Sequence, residues 1–179
     1  MTLGTSDLQR LTSAVAVINE LLPNSKEGLP DEVFYLMSRL TPLINVDLLI
    51  VNEQNQKLLT WRDDQFYGPG WHIPGGIIRF KELAEARIRK VAELELGATV
   101  SCVARPLVIR EIMNPKRDIR GHFISMVYKC KLTSQLRSEM EASNAEATLK
   151  GQWQWFSAMP SNMIKQHLQF EDLINQVEY

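Results

Sequence analysis

The sequence predicts an α+β fold: a mixed β-sheet with a few helices packed on it. Two observations lead there. Some segments repeat apolar residues at helical spacing, while others are short runs of Ile, Leu and Val bounded by turn residues. These segments do not alternate as the βαβ units of a doubly wound sheet would. The 179 residues suit one domain with a sizeable core and a small terminal extension.

Residues 6–22 read as a helix, with Leu8, Leu11, Val15, Ile18, Leu21 and Leu22 in helical register and Ser6 or Asp7 as cap. Pro23, Asn24 and Gly28 break it. A second helix over 31–40 follows Pro30, with Asp31 and Glu32 where the helix dipole favours acids. Residues 1–40 thus form a helical extension or dimerisation element, and the body spans 41–179. Residues 44–52 and 57–62 form a hairpin across the turn residues Asn52 to Gln56. Trp71 to Ile73 is a short strand stopped by Pro74-Gly75-Gly76. Residues 83–96 read as a helix ended by Gly97. Strands follow at 98–112 and 121–132. Residues 135–150 are a polar helix or long loop, Trp153 to Phe156 a last strand, and 160–178 a last helix.

Composition narrows the function. With 45% hydrophobic and 23% charged residues the chain is neither disordered nor collagen-like. A net charge of −1 advertises no nucleic-acid or anionic-membrane surface. No apolar run approaches the roughly 20 residues that span a bilayer, and nothing reads as a secretory signal. Cys102 and Cys130 match no metal-ligand spacing. They read as unpaired thiols of a reducing, cytoplasmic setting.

On a wheel, residues 83–96 put Ala84, Ile88, Val91 and Ala92 on one apolar face, with Glu95 in its middle. A carboxylate there needs a partner, because burying an unpaired charge is costly. An Arg or Lys at the helix end is one partner. A hard cation is another, since Gly75-Gly76 just upstream lets backbone approach an ion closely.

Gly76-x5-Glu82-x12-Glu95-x-Gly97 resembles the Nudix box, G-x5-E-x7-R-E-U-x-E-E-x-G-U, where U is bulky and aliphatic. Lys90 stands at the box Arg, and Val91 and Leu94 stand at two further box Glu positions. The departures resemble the GDP-mannose mannosyl hydrolase branch, which keeps only the later Glu of the Glu-Glu pair. Leu58-Leu59-Thr60-Trp61-Arg62, His122-Phe123 and Trp153-Gln154-Trp155 are similar to that branch as well, so the likeness covers roughly 41–157.

The resemblance implies a Nudix fold, an α/β/α sandwich around the mixed sheet. It implies that the Gly75 carbonyl and Glu95 bind Mg²⁺ or Mn²⁺, with Gly76 allowing the approach and Glu82 orienting the loop or a metal-bound water. Arg62 and Lys90 would meet substrate charge, and Asp47 would support an arginine or contact the nucleotide. Arg79 stands nearest to the Arg that the branch places after Gly-Gly; here that position is Ile77.

Losing two carboxylates matters chemically. A site built on Glu95 holds about one ion, too few for the two-metal clamp of phosphoryl transfer. Attack of water on C1 of a sugar, with a nucleoside diphosphate leaving, needs less. The branch's catalytic His has no counterpart before Trp153, so His122, Lys150 and Glu146 are the candidate bases. His72 reads as structural, and His167 as a surface residue of the last helix. The expected activity is metal-dependent hydrolysis of a nucleotide sugar. Its rivals are Nudix pyrophosphatase chemistry and a binding module without turnover. The expected partner is that substrate, with a homodimer through the N-terminal helices.

Overall fold

The computed structural model describes residues 3–26, 28–143 and 148–176. Strand β1 (Leu43–Ile50) sits centrally because it is buried on both faces and apolar apart from Asn45 and Asp47. It pairs in parallel with β7 (His122–Leu132) and antiparallel with β4 (Gly75–Ile77). Strands β5 (Val100–Cys102) and β6 (Val108–Met113) both run antiparallel to β7. A second sheet has the order β3–β2–β8, from Gly70–His72, Lys57–Arg62 and Trp153–Phe156.

Alternation along β1 sorts the core. Val46, Leu48 and Ile50 pack with Ile88, Val91, Ala92 and Leu96 of the helix that carries Glu95. Leu49 belongs to the opposite core, with Leu59, Trp71, Ile73, Phe170 and Ile174. Helical segments therefore cover both faces of the strands. Each of these buried aliphatics contributes about 1.5–3 kcal/mol, which fixes the register on which the cleft depends.

Helix α3 (Ala84–Val91) continues through a wider π-type turn, Ala92–Leu96, and ends on Gly97 at φ 61°. Helix α1 (Thr5–Leu21) has no buried residue, and its Leu8, Leu11, Val15 and Leu21 are exposed. Helix α2 (Asp31–Leu40) buries Ser38 against the body. Among the described residues, no helix is long and apolar enough to cross a membrane.

Several elements differ from expectation. Gly75-Gly76 does not merely stop a strand; it forms β4, because the glycine backbone can lie against Val46 and Asp47 of β1. The strand expected over 98–112 is two strands, divided at 103–107 around Pro106. The last helix is shorter: a 3₁₀ segment Lys165–Phe170 leads into α4 (Glu171–Asn175). Among the described residues, the segment after β7 holds one 3₁₀ turn, Ser138–Met140. Cys102 and Cys130, read as unpaired thiols, are joined in a disulfide. They are cross-strand register partners of β5 and β7, with Cα atoms 4.1 Å apart. Cysteine usage therefore no longer argues for a reducing compartment.

Candidate active site

A cleft of about 400 Å³ opens where β1, β2, β3, β4 and the π-type turn meet. β1 brings Asp47, β2 brings Thr60 and Arg62, β3 brings His72, and β4 brings Gly75 and Gly76. The turn brings Glu95, and the approach to β8 brings Lys150. Both glycines are demanded by closeness. A Cβ on Gly75 would stand 2.1 Å from Asp47 Oδ1, and one on Gly76 would stand 2.7 Å from Val91 Cγ2.

Two carboxyls at the floor are held against ionisation. Burial pushes Glu95 up to about 7, against the stabilising Gly75 amide and Thr60 hydroxyl. Glu95 Oε2 accepts from Thr60 Oγ1 at 3.2 Å, and Oε1 faces the Gly75 N–H at 3.4 Å. Burial likewise raises Asp47 to about 6, although Ser125 and Asn45 donate to it. Asp64 is lowered: burial is outweighed by the Phe66 amide, Arg62 and the Tyr67 amide.

The cleft imidazoles are already committed. Burial and then Arg62 push His72 down to about 3, and burial, His72 and Arg62 hold His167 well below its ordinary value. His72 Nδ1 meets the Ile73 carbonyl at 2.8 Å, so it carries the proton and Nε2 accepts from Thr60 at 3.0 Å. His167 Nδ1 accepts the Ile73 N–H at 3.1 Å, which leaves the proton on Nε2. The single Thr60 hydroxyl proton therefore serves either His72 or Glu95. Both contacts hold together when Glu95 is protonated and donates to Thr60.

Of the residues singled out from the sequence, Asp47, Arg62, Gly75, Gly76, Glu95 and Lys150 line the cleft. Four lie outside it. Glu82 accepts from the Arg79 N–H at 2.9 Å and from Arg87 Nε at 2.8 Å, tying the loop before α3 to the buried Arg87. Lys90 does not reach the cleft: it lies on the solvent side of α3, paired with Glu93 at 3.1 Å. Arg79 turns away after β4, and its guanidinium reaches the Lys26 carbonyl at 3.3 Å. His122 is not a cleft residue either. Strand alternation points Phe123 into the cleft and turns His122 outward, onto Glu111 at 2.7 Å. Glu146 lies outside the described residues.

The sequence reading missed Thr60, Asp64, Arg120 and Arg137 as lining residues, and placed His167 at the surface although it is buried. Thr60 had a signal: it precedes Arg62 by two on β2 and so shares its face.

The donor set suits one hard cation. It offers the Glu95 carboxylate, the backbone at Gly75 and the nearby Asp47; Mg²⁺ takes few protein oxygens and keeps waters or substrate phosphates. It does not suit a metal cluster. Val91 is buried in the core, and Leu94 is an apolar lining residue. Among the described residues, no group of three or more His, Cys, Asp or Glu side chains is placed to hold a metal.

A family model, the NUDIX domain, matches residues 41–170. This chain belongs to the NUDIX domain family. The Nudix chain is 26% identical over 122 residues to the low-salt glycan biosynthesis protein Agl8 of Haloferax volcanii, covering 66% of this chain and 76% of that protein. Its fold resembles a solved structure titled a possible asymmetric diadenosine tetraphosphate hydrolase from Jonesia denitrificans. There the TM-score is 0.57 at 19% identity, over 78% of this chain and 99% of the other. A UDP-X diphosphatase structure matches with TM-score 0.55 at 19% identity, over 98% of this chain and 83% of that one. These likenesses carry the fold: a mixed sheet with helices, as the sequence predicted.

Proposed function

We propose that this Nudix chain is a hydrolase of a nucleoside diphosphate derivative, specifically a nucleotide sugar, in the manner of GDP-mannose mannosyl hydrolase. Family membership supports the hydrolase class. The observation that carries the finer reading is the fate of the box carboxylates. Val91 packs in the core, Leu94 is an apolar part of the cleft wall, and Glu95 is the box carboxylate that remains at the floor. Such a site favours water attack at sugar C1, with a nucleoside diphosphate leaving. The name of Agl8 concerns glycan biosynthesis, which agrees with a sugar-bearing nucleotide.

Arg62 and Lys150 hold the charge of the departing diphosphate. A divalent cation bound at Glu95 would neutralise the remainder. Asp47, fixed by Asn45 and Ser125, stands opposite Gly75 of β4 in register. The base belongs to segment 139–150, since His122 faces outward and both cleft imidazoles are hydrogen-bonded. Those committed histidines also favour a second reading, a module that binds a nucleotide sugar without turning it over. A panel of nucleotide sugars, scored for turnover and for binding with Mg²⁺ or Mn²⁺, decides between them. The hydrolase reading expects turnover that chelation abolishes. Binding without turnover across the panel would contradict it.

A further inference from the structure

Arg120 sits in the turn between β6 and β7 with φ 51°, the left-handed region. For a residue with a Cβ this conformation costs roughly 1–2 kcal/mol, so the surroundings must impose it. They do so from two elements. Its N–H donates to Ser38 Oγ of α2 at 3.1 Å, and its carbonyl accepts the Tyr67 hydroxyl. Ser38 is only 5% exposed. The guanidinium stacks among Phe66, Phe34 and Tyr67, with ring centres at 4.8, 5.5 and 6.0 Å.

This cation is built in but not paired. Arg120 lines the cleft, makes no salt bridge among the described residues, and has a buried Nε without a hydrogen-bond partner. Asp64, whose charge reaches Arg120, is bound to Arg62 at 2.7 Å and to the amides of Phe66 and Tyr67. Arg62 lies over the same Tyr67 ring, 4.8 Å from its centre. The Arg117 guanidinium lies over it too, at 4.6 Å, so three guanidiniums converge on one aromatic platform while Asp64 is bound to Arg62. Repulsion and desolvation make that costly until an anion arrives.

We propose that Arg120 is a substrate-binding arginine that grips the ligand's phosphate oxygens together with Arg62, and that α2, through Ser38 and Phe34, is the element that positions it. The N-terminal extension is then part of the active site. The inference rests on the nucleoside diphosphate reading for its ligand class, but neither on the sugar nor on turnover.

The test uses the full-length chain and inorganic pyrophosphate as probe, by calorimetry in Mg²⁺ buffer. Arg120→Gly removes the guanidinium and suits the left-handed backbone, so the fold should hold. It should weaken pyrophosphate binding by roughly 10–100-fold, the loss of charge-assisted hydrogen bonds, with Tm no lower than wild type. Arg120→Asn, which also tolerates this conformation, repeats the reading if glycine loosens the turn. With a nucleotide sugar that is turned over, Ser38→Ala should raise KM several-fold while kcat stays within twofold. A purely structural role would lower Tm and leave KM unchanged. Pyrophosphate affinity in both Arg120 variants within twofold of wild type overturns the proposal, even if the enzyme hydrolyses nucleotide sugars. Loss of pyrophosphate binding in a chain that turns over none of the panel upholds it while the hydrolase reading fails.

Discussion

Glu95 concentrates the residue-scale argument. Burial raises its carboxyl from the ordinary 4.5 to about 7. The native state therefore holds this proton more tightly than the unfolded chain, and without metal the group lowers stability as pH rises from about 4.5 through about 7. Asp47, raised to about 6, acts in the same direction, while His72, lowered to about 3, opposes both below pH 6.5. At pH 8 without metal, Glu95→Gln should be more stable than wild type, by roughly 1–3 kcal/mol. Mg²⁺ should raise the Tm of wild type and not of the variant, which scanning calorimetry would read. Equal Mg²⁺ shifts in both would remove Glu95 from the metal site. Kinetics separates His122, the candidate base outside the cleft, from Lys150, placed against the leaving diphosphate. His122→Ala should leave kcat within twofold, because that ring faces Glu111 outside the cleft. Lys150→Ala should lower kcat/KM by roughly 10–100-fold, the scale of a lost charged contact. The reverse pattern would return His122 to the chemistry.

At the scale of elements, the sequence was legible where one period dominated. The bounds of α2, which starts after Pro30 with its acids, and of β8 were legible, and the apolar face of α3 follows from spacing. It was less legible where pairing decides structure. Gly75-Gly76 has the composition of a breaker, and only β1 beside it makes a strand of it. The same blindness hid the Cys102–Cys130 bond, since a separation of 28 residues says nothing about antiparallel register. In the site, the anchoring of Glu95 on the helix could be read from a wheel. Arg120 could not: it stands in a turn, and its role depends on contacts with Phe34 and Ser38, far away in the chain. His167, expected on the surface of a helix over 160–178, escaped because it instead folds inward within a 3₁₀ segment. One check is direct. Denatured without reductant, the protein should titrate with no free thiol, and after reduction with two. Two thiols before reduction would contradict the cross-strand bond.

For the whole molecule, the fold supplies a Nudix cleft from which the sequence has withdrawn two of the box carboxylates. Core packing around Val91 takes one position, and Leu94 turns another into apolar wall. Of the box carboxylates Glu95 remains at the floor, with Asp47 beside it and Arg62 and Lys150 facing it. On the proposed reading, that charge serves a departing nucleoside diphosphate rather than an attack at phosphorus. Hydrolysis in ¹⁸O-labelled water, with products weighed by mass spectrometry, tests this most directly. The account predicts label in the free hexose and an unlabelled nucleoside diphosphate. Label in a nucleoside monophosphate or a sugar phosphate would contradict it.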